Sequence, residues 1–347
     1  MTSQASIAGQ SCAKATRDVA GTGWTLLSAW FMQQSMTQQP STRVLGGEIM
    51  IGALLMVAFS LIAPFQDTIA KLATDHVSSG TISFARFAVQ TLILVPLVVW
   101  RFGPRRLWPK RAPHLHALRG VLMAIVTVLF VLALEYMHVA DAMAIFFVEP
   151  MFLTLLSGLI LRERVGWRRY AACAVGFIGA LFVIQPSFDE LGWVAFLPLG
   201  VAFLFAFYLI LTRHLSQDDE PMLMQAYTGV SGAIFLGAVL LILDPVGLRV
   251  FEITPPPSST LWIMLLVFGL IATVNHLILV QAFKRAPASI LAPIQYLEIV
   301  TGVILGWIIW DYVPNALKWV GIAIIVGSGL FIIWRERVAS QSASLKH

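Results

Sequence analysis

Beyond residue 46 the chain is a succession of apolar runs separated by short polar joints. A helix rises 1.5 Å per residue, so about 20 apolar residues cross a hydrocarbon layer of roughly 30 Å. The runs predict ten spanning helices, over residues 47–72, 81–100, 115–134, 140–161, 167–184, 192–211, 222–243, 261–280, 289–310 and 316–334. The run at 167–184 is the shortest. The run at 115–134 opens on His116 and Arg119, which reads as a helix end at a membrane face. Pro64, Pro96, Pro150, Pro198 and Pro293 fall inside spans, where neighbouring helices cover the loosened backbone. Residues 1–45 are polar apart from an apolar island, Trp24 to Met32, that is too short to span. They read as a flexible cytoplasmic tail, and 336–347 as a second one.

Composition agrees with the runs. Apolar residues make up 58% of the chain and charged ones 12%, with a mean hydropathy of +0.82. Soluble domains carry about 25% charged residues, so this exterior faces lipid. The net charge of +5 comes from lysines and arginines in short loops and does not point to nucleic acid. Of 23 basic residues, 19 fall on one side of the predicted membrane, Arg119 among them, and only Lys71, Arg249 and Lys318 on the other. Basic loops stay in the cytoplasm. The expectation is a multi-pass protein of the inner (cytoplasmic) membrane with both termini cytoplasmic, which an even number of spans requires. Cys12 and Cys173 form no disulfide framework and no metal-ligand spacing. A phosphate-binding Gly-rich loop, a His-Glu-x-x-His pair and a Gly-x-Ser-x-Gly elbow are all missing from the sequence. We expect no cofactor, no metal and no enzyme.

The second half echoes the first about 149 residues later. Ala133-Leu134-Glu135 is matched by Ala282-Phe283-Lys284, and Phe147-Val148-Glu149 by Tyr296-Leu297-Glu298. Glu163 finds Asp311 one residue out of register, and Lys71 corresponds loosely to Arg213. Each half, 46–185 and 186–335, holds five spans. An odd number makes the second copy enter the membrane from the opposite side, so the fold class expected is an all-α integral membrane protein built as a 5+5 inverted repeat. A site at the interface of such repeats can face each side in turn.

These residues resemble the drug/metabolite transporter superfamily, specifically its EamA-type members. The resemblance rests on Ala133-Leu134, Ala140-Asp141-Ala142-Met143-Ala144, Pro150 and Leu161-Arg162-Glu163 in the first half. In the second it rests on Ala282-Phe283, Ala286-Pro287-Ala288-Ser289, Pro293 and Tyr296-Leu297-Glu298. It departs from the family pattern at Ile299, where a proline often stands, and at Asp311, more usually glutamate. The resemblance implies a secondary carrier with a central cavity lined by spans one, three, four, six, eight and nine, and spans five and ten at the periphery. Its substrate would be an amino-acid-like zwitterion or an amphipathic aromatic such as a riboflavin-type vitamin, handled by a monomer or homodimer. Ala172, Gly176 and Ala180, with Ala323 and Gly327, offer small faces for packing those peripheral spans.

A charge at the bilayer centre costs about 2.5–3.5 kcal/mol on insertion scales. Glu149 and Glu298 each lie nine residues into their span, near the midplane and at repeat-related positions. Secondary carriers bind substrates and coupling ions at that depth, and a carboxyl kept from water is more readily protonated. One or both are expected to meet a cationic part of the substrate or to take up a proton. Asp67 and Arg86 sit at similar depth on consecutive spans, which allows a buried ion pair. Gln66, Asn275, His276, Gln281 and Tyr296 are candidate cavity residues, with Thr127 at the place repeat-related to His276, while Glu135 and Lys284 read as boundary charges. Phe146, Phe147, Phe152, Phe203, Phe205, Phe207 and Tyr208 supply aromatic surface for a flat solute. The alternatives weighed are a membrane-embedded enzyme acting on a lipid-linked substrate, which would need clustered Asp, His or Lys facing a loop, and a scaffold or sensor subunit, which would need no midplane glutamates.

Overall fold

A computed structural model describes residues 45–109, 112–160, 166–215, 219–286, 291 and 294–344. Residues 1–44 of the tail expected over 1–45, residues 345–347 of the second tail, and Leu161, Arg162, Glu163, Pro287, Ala288, Ser289 and Pro293 of the repeat motifs lie outside them. The described residues form an all-helical bundle: α1 (Leu45–Thr74), α2 (Ser79–Phe102), α3 (Pro113–Tyr136), α4 (Val139–Phe146), α5 (Glu149–Ile160), α6 (Trp167–Leu191), α7 (Leu197–Leu215), α8 (Pro221–Leu243), α9 (Ser259–Arg285), α10 (Leu297–Trp310) and α11 (Ala316–Ser344). Eight segments are long and apolar enough to cross a membrane, α4 and α5 together making one of them. Shorter apolar helices, Leu297–Trp310 and Ala316–Ile332, stand at the ninth and tenth spans.

Helix ends follow local chemistry. The Ser78 hydroxyl accepts from the Thr81 amide at 3.2 Å, and Ser258 accepts from Leu261 at 3.3 Å, so each caps a helix start. Pro113 and Pro221 take first-turn positions, where a missing amide costs nothing. Asp311 ends α10 with φ 50, a left-handed conformation that Asp tolerates better than most side chains.

The fourth span, expected as one helix over 140–161, is broken. A proline ring collides with the carbonyl four residues back, and for Pro150 that residue is Phe146, where α4 stops. Helix resumes at Glu149. The ninth span shows the same device at the repeat-related place: residues 294–295 are helical, Tyr296 is a turn and α10 begins at Leu297. Here Ile299 stands where the first half has Pro150, so this discontinuity has no proline at the matching position. Each glutamate therefore sits in the first turn of a helix that begins within the bundle. The apolar span over 167–184 has the expected bounds, and the helix that carries it, α6, continues past it to Leu191.

The helices pair as an exchange of halves demands. α1 packs on α9 as α7 packs on α3, and α3 packs on α8 as α9 packs on α2. α5 meets α7 as α10 meets α1, while α2–α8 and α6–α11 are their own counterparts. A twofold relation has this property, and five crossings per half put its axis in the membrane plane. At the periphery α6 and α11 cross through glycine. A Cβ on Gly321 would lie 2.6 Å from the Gly179 carbonyl oxygen, whereas one on Gly327 would meet nothing within 4 Å. The close packing thus falls on Gly179 and Gly321, not on Gly327. Gly321→Val is expected to lower the thermal stability of the detergent-purified protein by about 1–3 kcal/mol, and Gly327→Ala to leave the unfolding temperature unchanged.

Candidate functional site

A central cavity of about 90 Å³ lies among α1, α2, α3, α4, α7, α9 and the start of the ninth span. One part of the wall is aromatic, formed by Phe59, Phe130, Phe146, Phe205 and Phe268. The rest carries Gln66, Asp67, Arg86, Thr127, Asn275, His276, Gln295 and Glu298. The wall draws on the spans implied by the family resemblance and adds the second, through Arg86.

Burial makes each polar group here consequential. Arg86 is buried; its Nη1 donates to Thr127 Oγ1, whose own hydroxyl donates to the Met123 carbonyl at 2.8 Å. Arg86 Nε keeps no partner among the described residues. The contact pair that matching depths allowed between Asp67 and Arg86 does not form. The two face one cavity and attract across it, but Arg86 is drawn to α3, and the neighbour nearest Asp67 is Gln66, whose Nε2 donates at 3.5 Å. Gln66 Oε1, Asn275 Oδ1, His276 Nδ1 and Glu298 Oε1 likewise lack partners among the described residues. A buried polar atom left unpaired costs about 1–3 kcal/mol. Together these atoms form a surface that a polar solute would satisfy.

Glu298 belongs to the cavity wall; Glu149 is equally buried but stands outside it. The two are close enough to repel when both are charged, and Asp67 repels Glu298 as well. Tyr296 is also outside the wall, with its ring 5.2 Å from Phe147 and its hydroxyl against the backbone of Gly329. Gln281 is far from the cavity. It lies five residues, about 7 Å, beyond His276 along α9, and its Oε1 accepts from Arg285. Hydropathy gives depth only coarsely, which is why Gln281 was grouped with the cavity.

Two repeated helical halves around a polar and aromatic cavity define a multi-pass membrane transporter of small molecules. The EamA-like transporter family model matches residues 50–185 and 192–334, and the chain belongs to that family. A riboflavin transporter of Vibrio cholerae is 29% identical, over 84% of this chain and 95% of its own. A riboflavin transporter of Rhizobium johnstonii is 31% identical, over 88% and 96%. An S-adenosylmethionine uptake transporter of Rickettsia prowazekii is 28% identical, over 81% and 91%. A crystal structure 14% identical to the chain shares its fold, with a TM-score of 0.58 over 83% of this chain and 97% of that one. The family is one of transporters, and the enzyme alternative finds no support in it.

Several buried polar residues were not singled out from the sequence. Gln90 Nε2 donates to the Gln225 carbonyl at 2.7 Å, and Gln225 Nε2 to the His276 carbonyl at 3.3 Å, which ties α2, α8 and α9 together. Arg119, expected at a helix end, is wholly buried inside the bundle. At the opposite end Lys318 Nζ donates to Asp141 Oδ2 at 2.6 Å, and Tyr312 donates to the same oxygen at 2.6 Å. Lys71 donates to the carbonyls of Leu134 and Met137 at 2.7 and 2.8 Å, satisfying the end of α3. Glu135 and Lys284, read as boundary charges, are paired with Arg249 at 3.1 Å and Glu220 at 3.4 Å. Removing one member of a buried pair strands the other charge. Lys318→Met is therefore expected to destabilise the protein by about 3–5 kcal/mol in detergent unfolding, and adding Asp141→Leu to recover most of that loss.

Proposed function

We propose that this transporter moves a flat, hydrogen-bonding aromatic metabolite of the riboflavin class across the bacterial cytoplasmic membrane by alternating access. The observation that carries this is the composition of the cavity wall, with five phenylalanines beside unpartnered polar atoms of Gln66, Arg86, Asn275 and Glu298. Fused aromatic rings stack on phenylalanine, and hydroxyl and imide groups match amide and guanidinium partners. The names of the Vibrio and Rhizobium relatives support the same class. A sulfonium such as S-adenosylmethionine would bring a positive charge towards Arg86 and would rely on Asp67 and Glu298 to offset it.

The repeats, taken as 46–185 and 186–335, are the units that rock about the cavity. The described residues of the cavity wall all belong to one chain, and the transporting unit is a monomer or a homodimer. The bias of basic residues supports an orientation with both termini in the cytoplasm. Glu298, with Glu149 behind it, is the proton carrier of the cycle: a proton on Glu298 relieves its repulsion by Asp67 and Glu149. Proteoliposomes should take up labelled riboflavin saturably and faster with an imposed pH gradient. Inhibition by excess S-adenosylmethionine, but not by excess unlabelled riboflavin, would overturn the substrate assignment. Glu298→Gln should cut uptake about tenfold, the scale of one lost bond to a charged group, and abolish the response to the gradient. Full activity with unchanged pH dependence in both Glu298→Gln and Glu149→Gln would end the proton assignment.

A further inference from the structure

We propose that Arg119, which does not line the cavity, is a positioning residue that clamps the cavity floor on its arginine-rich side. The inference rests on the carrier reading above but not on the identity of the solute. Arg119 has no exposed surface. It lies four residues, one turn or about 6 Å, from Met123 in the cavity wall. Its guanidinium spends its donors on α7 and α8. Nε donates to Thr212 Oγ1 at 2.8 Å, Nη1 to the Met224 carbonyl at 3.1 Å and to Thr228 Oγ1, and Nη2 to the Tyr208 hydroxyl at 2.7 Å.

None of the four acceptors is a carboxylate. The nearby acid, Asp219, is engaged one turn away with His116 at 3.0 Å. An ion pair would be the ordinary answer to a buried charge. A guanidinium held by neutral oxygens instead acts as a rigid fork that fixes the helices carrying them. Its reach extends to the cavity. The Tyr208 ring stacks on Phe205 at 5.3 Å and 24°, and Phe205 meets Phe146 edge-on at 5.3 Å, both of them wall residues. Beside and beneath the wall residue Met123, Met56, Tyr208 and Leu279 belong to the same apolar cluster. Of these only Tyr208 is held by a directional side-chain bond. At the position 149 residues later the second half carries Phe268, which lines the cavity itself. One half thus builds this layer from a phenylalanine and the other from a cation and the tyrosine it holds. Opening the arginine-rich side separates α3 from α7 and α8, so the four bonds let go together.

The test uses the full-length protein with Cys12→Ala, Cys173→Ala and a single thiol in the wall, Ala63→Cys. A membrane-impermeant maleimide is applied to right-side-out and inside-out vesicles. Arg119→Lys and Tyr208→Phe should each raise labelling from the arginine-rich face about fivefold, the scale of one net hydrogen bond. Thr228→Ser keeps an acceptor and should match the parent. Tyr208→Phe preserves the ring and decides the matter if Arg119→Lys does not fold. A rise confined to the opposite face supports the clamp while reversing the membrane orientation. Unchanged labelling, or an equal rise from both faces, overturns the clamp.

Discussion

A polar side chain at hydrocarbon depth has no water to solvate it, so the protein must do so. Most of this bundle's internal architecture answers that constraint. Gln90 and Gln225 satisfy each other and a backbone carbonyl, Lys71 covers the end of α3, and Asp141 takes both Lys318 and Tyr312. Arg119 is met by four neutral oxygens. These bonds cross between helices that apolar packing alone would leave free to slide, because lipid competes with apolar contacts on equal terms. Where the partners run out, the cavity begins, and its wall gathers several buried polar atoms that remain unmatched among the described residues.

The repeat supplies the frame on which these bonds differ. The main helix pairings are preserved on exchanging the halves, and both halves interrupt a helix next to a glutamate. Yet the details diverge. Pro150 stands against Ile299 and Arg119 against Phe268. Thr127, which receives Arg86, stands against His276, whose carbonyl receives Gln225. A pseudo-symmetric frame makes two conformations of similar energy available, and unequal contacts set which one dominates.

Much of the fold is legible in the sequence because hydropathy is a local property. The runs from 47 to 334 need no tertiary information, and the match of Phe147-Val148-Glu149 to Tyr296-Leu297-Glu298 survives in the order of residues. Depth along a span is also readable, which is why Glu149 and Glu298 read as midplane residues and Asp67 and Arg86 as residues of similar depth. Rotation about the helix axis is not. Asp67 and Arg86 were matched for depth, but the angle that turns Arg86 towards Thr127 comes from packing. Arg119 was read as an interfacial charge because it opens an apolar run. An inward-facing arginine one turn inside a span has the same neighbours in sequence as one that reaches the headgroups. The break after Phe146 was foreshadowed by Pro150, whereas its counterpart before Leu297 carries no proline two residues after it.

The central claim is that one cavity, built from both repeats, is presented to each face of the membrane in turn. A single thiol introduced as Asn275→Cys, in a chain lacking Cys12 and Cys173, tests it with an impermeant reagent applied from either side. The account predicts labelling from both faces and protection from both by a saturating concentration of riboflavin. Labelling from one face only, whatever the pH gradient, would contradict it.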